Sequence, residues 1–168
     1  MRIITTDTTV WDVCDKNRKA LAYEIRGAAS LTCVLIAVTA KDTDYSVRIV
    51  LNGSGARASV YGIVIGKKTS RIRLHTEQIH AKPNATSTIL VKSVLYDASV
   101  FTYDGTIRVE QDAQKTDAYQ RNENLIVGGS ARAHSKPSLE ILAHDVRCTH
   151  GATVGPDRKS TRLNSSHT

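Results

Sequence analysis

The chain has 168 residues, a formal net charge of +7 at pH 7 and 40% hydrophobic residues, with one Trp and one Phe. A chain of this length fits one domain with a sizeable core. The basic residues are scattered and only one Trp and one Phe are available to stack on bases, which disfavours a nucleic-acid-binding function.

The N-terminal residues lack the pattern of a signal peptide, and the longest strongly apolar run, residues 31–40, is too short to cross a bilayer. The cysteines are Cys14, Cys33 and Cys148, widely spaced and without a CxxC pair. An odd number of cysteines without an export signal is typical of a reducing compartment, so we expect a cytoplasmic protein with reduced thiols. The same spacing argues against a self-contained zinc site.

Short runs rich in Val, Ile, Tyr and Thr follow one another along the chain, and each predicts a β-strand. These runs lie at residues 20–25, 31–40, 46–51, 59–65, 70–74, 87–96, 100–103, 107–109, 124–127, 138–142 and 146–149. Gly, Asn, Asp, Ser or Pro separates most of them, as expected for turns. The best helical candidate, residues 111–121, is almost wholly polar and is interpreted as a loop or a strand edge.

The irregular spacing of these runs is typical of all-β solenoids and sandwiches. Small residues recur between them and suit the corners of a stack of coils, where neighbouring backbones come close. These residues are Ala56, Ala58, Ala85, Ala98, Ala113, Ala131 and Ala133. The local pattern alone does not separate a sandwich from a right-handed β-helix.

Residues 145–155 read DVRCTHGATVG and place Cys148 two residues before His150. Two side chains at this spacing on an extended strand point to the same side. A thiolate and a neutral imidazole are common ligands of iron and of iron–sulfur centres. Two other interpretations of the pair are a nucleophile with its base, and a buried small thiol, the commonest fate of a free cysteine, beside a structural hydrogen-bonding histidine. Because a cluster needs about four ligands, a metal site here requires donors from a partner or a second copy.

Other candidates receive a structural interpretation. His134 and His144 are predicted to face solvent. Asp145 is predicted to close a turn through its side chain. Cys14 and Cys33 are predicted to be core thiols.

Residues 105–155 resemble the core of the SufB/SufD family, components of the SUF iron–sulfur cluster assembly machinery. The matching segments are G-x-I-x-V, A-Q-x-T-D-A, N-x-N-L, K-P-x-L-E-I and D-V-x-C-x-H-G-A-T-V-G. Residues 80–105 show a weaker similarity to the upstream coils of the family. The similarity of the residues before residue 45 is diffuse. The resemblance implies an all-β fold, a right-handed parallel β-helix, over residues 1–156.

Within that family the chain is more similar to the SufD branch than to the SufB branch. Ala131 stands where SufB-like sequences carry a cysteine, and His150 is followed by Gly151 where they have a glutamate. Ala133 and His134, in contrast, resemble a SufB feature. Gly151 is also expected to let another backbone approach closely.

The resemblance implies a scaffold subunit and not an enzyme. Cys148 and His150 would bind iron at the interface with a SufB-like subunit, where a nascent iron–sulfur cluster forms transiently, and a SufC-like ATPase would drive conformational change. The segment around residues 62–68 lacks the spacing of a phosphate-binding P-loop. The alternatives are a homodimer, a β-solenoid interaction module without cluster chemistry, and a β-helical carbohydrate-active protein.

Residues 157–168 show no apolar periodicity and read like the in-frame translation of a common sequencing-adapter oligonucleotide. We interpret them as a non-native tail and exclude them from reasoning about the fold. Their net charge of +2 leaves about +5 on residues 1–156. On this interpretation the remaining coils and the segment that docks the ATPase are missing, so we expect the chain as given to bind such an ATPase poorly.

Overall fold

The computed structural model describes residues 1–14 and 17–156, so the tail interpreted as non-native lies outside the described residues. All regular structure in the described part of the chain is β-strand. The strands are β1 (Arg2–Ile4), β2 (Thr8–Val13), β3 (Arg18–Ile25), β4 (Ser30–Thr39), β5 (Thr43–Leu51), β6 (Arg57–Gly66), β7 (Arg71–His80), β8 (Thr86–Leu95), β9 (Val100–Val109), β10 (Asp117–Ile126), β11 (Arg132–Ile141) and β12 (Arg147–Pro156). Among these residues there is no helix of the length and apolarity that crossing a membrane would require.

The strands form two six-stranded sheets that the chain visits in alternation. The odd-numbered sheet has the order β1-β3-β5-β7-β9-β11, and the even-numbered sheet has the order β12-β10-β8-β6-β4-β2. Every pairing is parallel and joins a strand to the equivalent strand one coil earlier or later. A β-sandwich is built from antiparallel sheets, so this topology excludes it and confirms the predicted parallel β-helix.

Alternate side chains of both sheets point into the helix and form its core. The largest of these buried side chains include Ile25, Leu51, Ile89, Phe101 and Tyr103. Burying an aliphatic or aromatic side chain of this size stabilises the fold by roughly 1.5–3 kcal/mol each. A smaller cluster of buried residues lies near the C-terminal coils and comprises Ile107, Val109, Ala113, Ala118 and Ala143.

Small buried residues occupy the corners between strands, as predicted for Ala56, Ala85, Ala113 and Ala131. Ala58 and Ala133 were also predicted at corners, but they lie inside β6 and β11 because the strands there are longer than their β-forming runs.

Neighbouring corners stack so closely that side chains are excluded at some positions. A Cβ atom on Gly53 would lie 2.0 Å from the carbonyl oxygen of Gly27, in the preceding coil. This contact is shorter than any van der Waals separation, so glycine is required there.

The predicted strand bounds needed correction in the polar parts of the chain. Residues 100–103 and 107–109 belong to one strand, β9, and residues 117–121, interpreted as a loop or strand edge, belong to β10. The predicted last strand ends at residue 149, whereas β12 continues to Pro156. Pairing along the full length of the neighbouring strand extends these segments despite their polar or small residues.

Candidate functional site

The Cys148–His150 pair lies on β12, the terminal strand of the even-numbered sheet. Cys148 is in register with Ala118 of β10, and His150 is in register with Gln120. Within residues 1–14 and 17–156, β10 is the one strand hydrogen-bonded to β12. The other edge of β12 therefore presents backbone N–H and C=O groups that a further strand could pair with.

Both side chains of the pair share the parity of inward-facing positions. Ala118 and Gln120 are buried, and residues in register on neighbouring parallel strands point to the same side of the sheet. Cys148 is half-buried and packs with Val146 against the smaller C-terminal cluster, whereas His150 is exposed. The prediction that the two side chains point to the same side is thus confirmed, and within the described residues neither side chain is sealed from the surface.

The environment of Cys148 favours the protonated form of its thiol. Burial raises the pKa of the Cys148 thiol above its ordinary value, and the negative charge of Asp117 raises it further. A hydrogen bond from the backbone of Ala118 acts in the opposite direction. A nucleophilic cysteine needs a lowered pKa, so these surroundings disfavour the nucleophile-and-base interpretation. A bound metal, in contrast, can displace the thiol proton.

A network of buried side chains holds β12 against the rest of the coil. Asn124 of β10 donates to the Thr153 carbonyl oxygen at 3.1 Å and to Asn122 Oδ1 at 2.7 Å. Ser135 of β11 hydrogen-bonds to the same Asn122 oxygen, and Ser93 of β8 donates to Asn124 Oδ1 at 2.7 Å. Strands of both sheets are thereby tied to the strand that carries the pair.

The turn before β12 is also fixed by the preceding coil. The Asp145 carboxylate forms an ion pair with Lys115, and the Asp145 N–H donates to Gln114 Oε1 at 2.9 Å. The prediction placed Asp145 correctly in a turn, but its side chain binds an ammonium group and not the local backbone. His134 and His144 are exposed, as predicted.

The cysteines of the N-terminal half stay away from this pair. Cys33 is fully buried in the main core, which confirms the prediction, and burial raises its pKa to about 11. Cys14 is partly buried and packs against the same core.

Polar side chains inside the helix were missed by the sequence reasoning. Gln78, His80, Gln120 and Asn122 are buried on inward positions, and His80 Nε2 lies 2.8 Å from Ser87 Oγ. Gln120 donates to the Gly105 carbonyl oxygen at 3.2 Å, while its Oε1 has no hydrogen-bond partner among the described residues. The sequence QRNEN at residues 120–124 carried the signal for these buried polar residues. Its amide residues Gln120, Asn122 and Asn124 alternate with charged ones and share the inward parity.

In the part of the chain that the structure describes, no group of three or more His, Cys, Asp or Glu side chains is placed to hold a metal ion. The pair on β12 supplies two donors of the types that iron and iron–sulfur centres accept. Fold and site together define the class of protein: a parallel β-helix that carries a thiol and an imidazole two residues apart on β12, the last described strand of its even-numbered sheet.

Comparisons with known proteins agree with this class. The family model described as "SUF system FeS cluster assembly, SufBD core domain" matches residues 5–158. The chain therefore belongs to the SufB/SufD family of the SUF iron–sulfur cluster assembly system.

Curated relatives include both branches of the family. The chain is similar to the iron–sulfur cluster assembly protein SufD of Escherichia coli, with 37% identity over 105 residues, 62% of this chain and 25% of that protein. It is 28% identical to SufB of Bacillus subtilis over 105 residues, 62% of this chain and 23% of that protein. It is 22% identical to the SufBD family protein ycf24 of Galdieria sulphuraria, over 86% of this chain and 69% of that protein. The chain thus spans about a quarter of the length of the bacterial relatives.

Proposed function

We propose that this chain is a scaffold subunit of iron–sulfur cluster assembly, without catalytic activity of its own, that contributes Cys148 and His150 to a site completed by another subunit. The nascent cluster is the cargo of this site and is held there transiently. The observation that carries the proposal is the placement of a thiol and an imidazole on the same side of one strand, β12.

The geometry supports a shared site in two ways. Residues two apart on a strand have Cα atoms roughly 7 Å apart, close enough for both side chains to reach neighbouring atoms of one cluster. Among the described residues no group of three or more His, Cys, Asp or Glu side chains is placed to hold a metal ion, so the other donors of a cluster would come from another subunit.

A SufB-like subunit is the partner that we propose, with a SufC-like ATPase as the third component. Ala131 in the place of a cysteine supports a SufD-like role. The thiols of Cys33 and Cys148 form no disulfide, which suits the reducing cytoplasm, the compartment that we propose.

Anaerobic reconstitution with iron and sulfide in the presence of the SufB-like subunit tests the proposal. We expect Cys148→Ser and His150→Ala each to lower the iron and sulfide bound per complex at least several-fold. Thr149→Ala is the matched control, since Thr149 is exposed on the same strand but has the opposite parity. Full loading in both site variants would leave a β-solenoid scaffold without cluster ligands, which is the second candidate function.

A further inference from the structure

Polar side chains line the interior of the helix where the coil of β7 and β8 meets the coil of β9 and β10. Gln78 and His80 of β7 and Gln120 of β10 are each at most 1% exposed. Four of their side-chain atoms have no hydrogen-bond partner in the part of the chain that the structure describes: Gln78 Oε1, Gln78 Nε2, His80 Nδ1 and Gln120 Oε1. Among the described residues, Ser70 Oγ is the one other buried side-chain atom of this kind, so such atoms are concentrated at this place.

The register of the strands places these three side chains close to one another. Gln78 and His80 lie two residues apart on one strand, so both point inward on the same side. Gln78 is in register with Ile107 of β9. Gln120 Nε2 donates to the carbonyl oxygen of Gly105, which lies two residues before Ile107 on that strand. The amide group of Gln120 is therefore held beside the part of β9 that lies next to Gln78.

Small side chains surround the imidazole of His80. Its Nε2 atom lies 2.8 Å from Ser87 Oγ on the facing strand β8, so Nδ1 is the ring nitrogen that needs a further partner. Ser87 is in register with Ala58 of β6 and with Ala118 of β10, and all three side chains are buried. A row of two alanines and a serine takes up little of the interior, which favours a small bound molecule beside the imidazole.

The unpartnered atoms specify a ligand that both donates and accepts hydrogen bonds. The amide oxygens of Gln78 and Gln120 need a donor, and the amide nitrogen of Gln78 needs an acceptor. A metal cation cannot accept a hydrogen bond from that nitrogen, and an anion without a hydrogen cannot donate to the oxygens. Isoleucines in register with the two glutamines, Ile49, Ile89 and Ile107, supply no charge that would offset a buried ion. Water is the small neutral ligand that meets both requirements.

We propose that the helix binds ordered water between Gln78, His80 and Gln120, at an internal site that joins two successive coils. Buried polar groups of native proteins are nearly always hydrogen-bonded, and an internal water typically makes about three hydrogen bonds to such groups. Water at this site satisfies side chains of β7 and β10, which belong to different sheets. The site uses neither Cys148 nor iron, so it is independent of the proposed function.

A high-resolution crystal structure of this chain tests the proposal directly. We expect an electron-density peak within about 3.2 Å of at least two of the four unpartnered atoms. A structure without such a peak, in which the amides of Gln78 and Gln120 bond directly to each other or to His80, would overturn the proposal. So would a peak with the ligand distances of a metal ion, about 2.0–2.6 Å.

Relaxation dispersion of water ¹⁷O, which counts long-lived internal waters, tests the same site in solution. We expect Gln78→Met to lose at least one such water, because methionine has the length of glutamine but no amide group. Gln111→Met is the matched control, since Gln111 is exposed between β9 and β10, and it should keep the full count. Far-UV circular dichroism shows whether each variant is folded, and the crystal structure decides if Gln78→Met is not. An unchanged count in folded Gln78→Met, or an equal loss in Gln111→Met, would refute the site.

Discussion

Gln120 and His150 occupy the same register position on neighbouring strands, one sealed inside the helix and the other exposed at its end. The strand that covers Gln120 is β12, which carries His150. Both positions have the inward parity, and within the described residues no further strand covers His150 as β12 covers Gln120.

This difference in burial predicts a small loss of stability on substitution of His150 and a large one on substitution of Gln120. We expect His150→Ala to change the free energy of unfolding by less than about 0.5 kcal/mol, because an exposed side chain contributes little. Gln120→Ala should destabilise by about 2 kcal/mol, since it opens a cavity and leaves the Gly105 carbonyl oxygen without its donor. Urea denaturation followed by circular dichroism measures both. A large loss for His150→Ala would mean that the histidine is a structural residue.

The two thiols should differ in reactivity. At pH 8 we expect iodoacetamide to label Cys148 at least about 10-fold faster than Cys33, because Cys33 is fully buried and burial raises its pKa to about 11, whereas Cys148 is half-buried. Peptide mass spectrometry of timed samples separates the two sites. Equal rates in the native chain, matching those in urea, would contradict the buried position of Cys33.

His80 should make the fold sensitive to acid. Burial lowers the pKa of the folded-state imidazole to about 4, whereas the unfolded chain protonates it near 6.5. Unfolding therefore takes up a proton between these values, and the free energy of unfolding should fall by on the order of 2–3 kcal/mol as the pH drops from 6.5 to 4. Urea denaturation at several pH values measures this slope. His80→Asn, which keeps a polar group near Ser87, should flatten the slope, and identical slopes in both proteins would refute the assignment.

Close stacking of the corners predicts a sharp contrast between two glycines. Gly53→Ala should destabilise the chain by about 3 kcal/mol or more, because its Cβ would overlap the backbone of Gly27. Gly129→Ala is the control, since no atom lies within 4 Å of its Cβ position. Thermal unfolding of both variants measures the contrast. Equal tolerance at the two positions would show that the corners do not stack this tightly.

The sequence predicted the strands where a run is rich in Val, Ile, Tyr and Thr. Residues 87–96 and 59–65 are such runs, and β8 and β6 lie there to within two residues at each end. The sequence did not predict the strands in which polar or small residues occupy both faces, as in β10 and the second half of β12. Those strands are held by pairing and by the Asn122–Asn124 network, which depend on contacts with distant coils and leave no local apolar signal.

The candidate site was predicted in part. Spacing alone placed Cys148 and His150 on one side of a strand, because the twofold periodicity of a strand is a local property. Two other features depend on the order in which the coils stack. These are the position of β12 as the last described strand of its sheet, and the register of Gln120 with His150.

The most direct test of the central claim is pulsed electron paramagnetic resonance on the reconstituted, reduced complex with the SufB-like subunit, in which only this chain carries ¹⁵N-labelled histidine. The account predicts a ¹⁵N hyperfine coupling to the cluster that disappears in His150→Ala and persists in His144→Ala. A fully assembled cluster without any coupling to the labelled chain would contradict it.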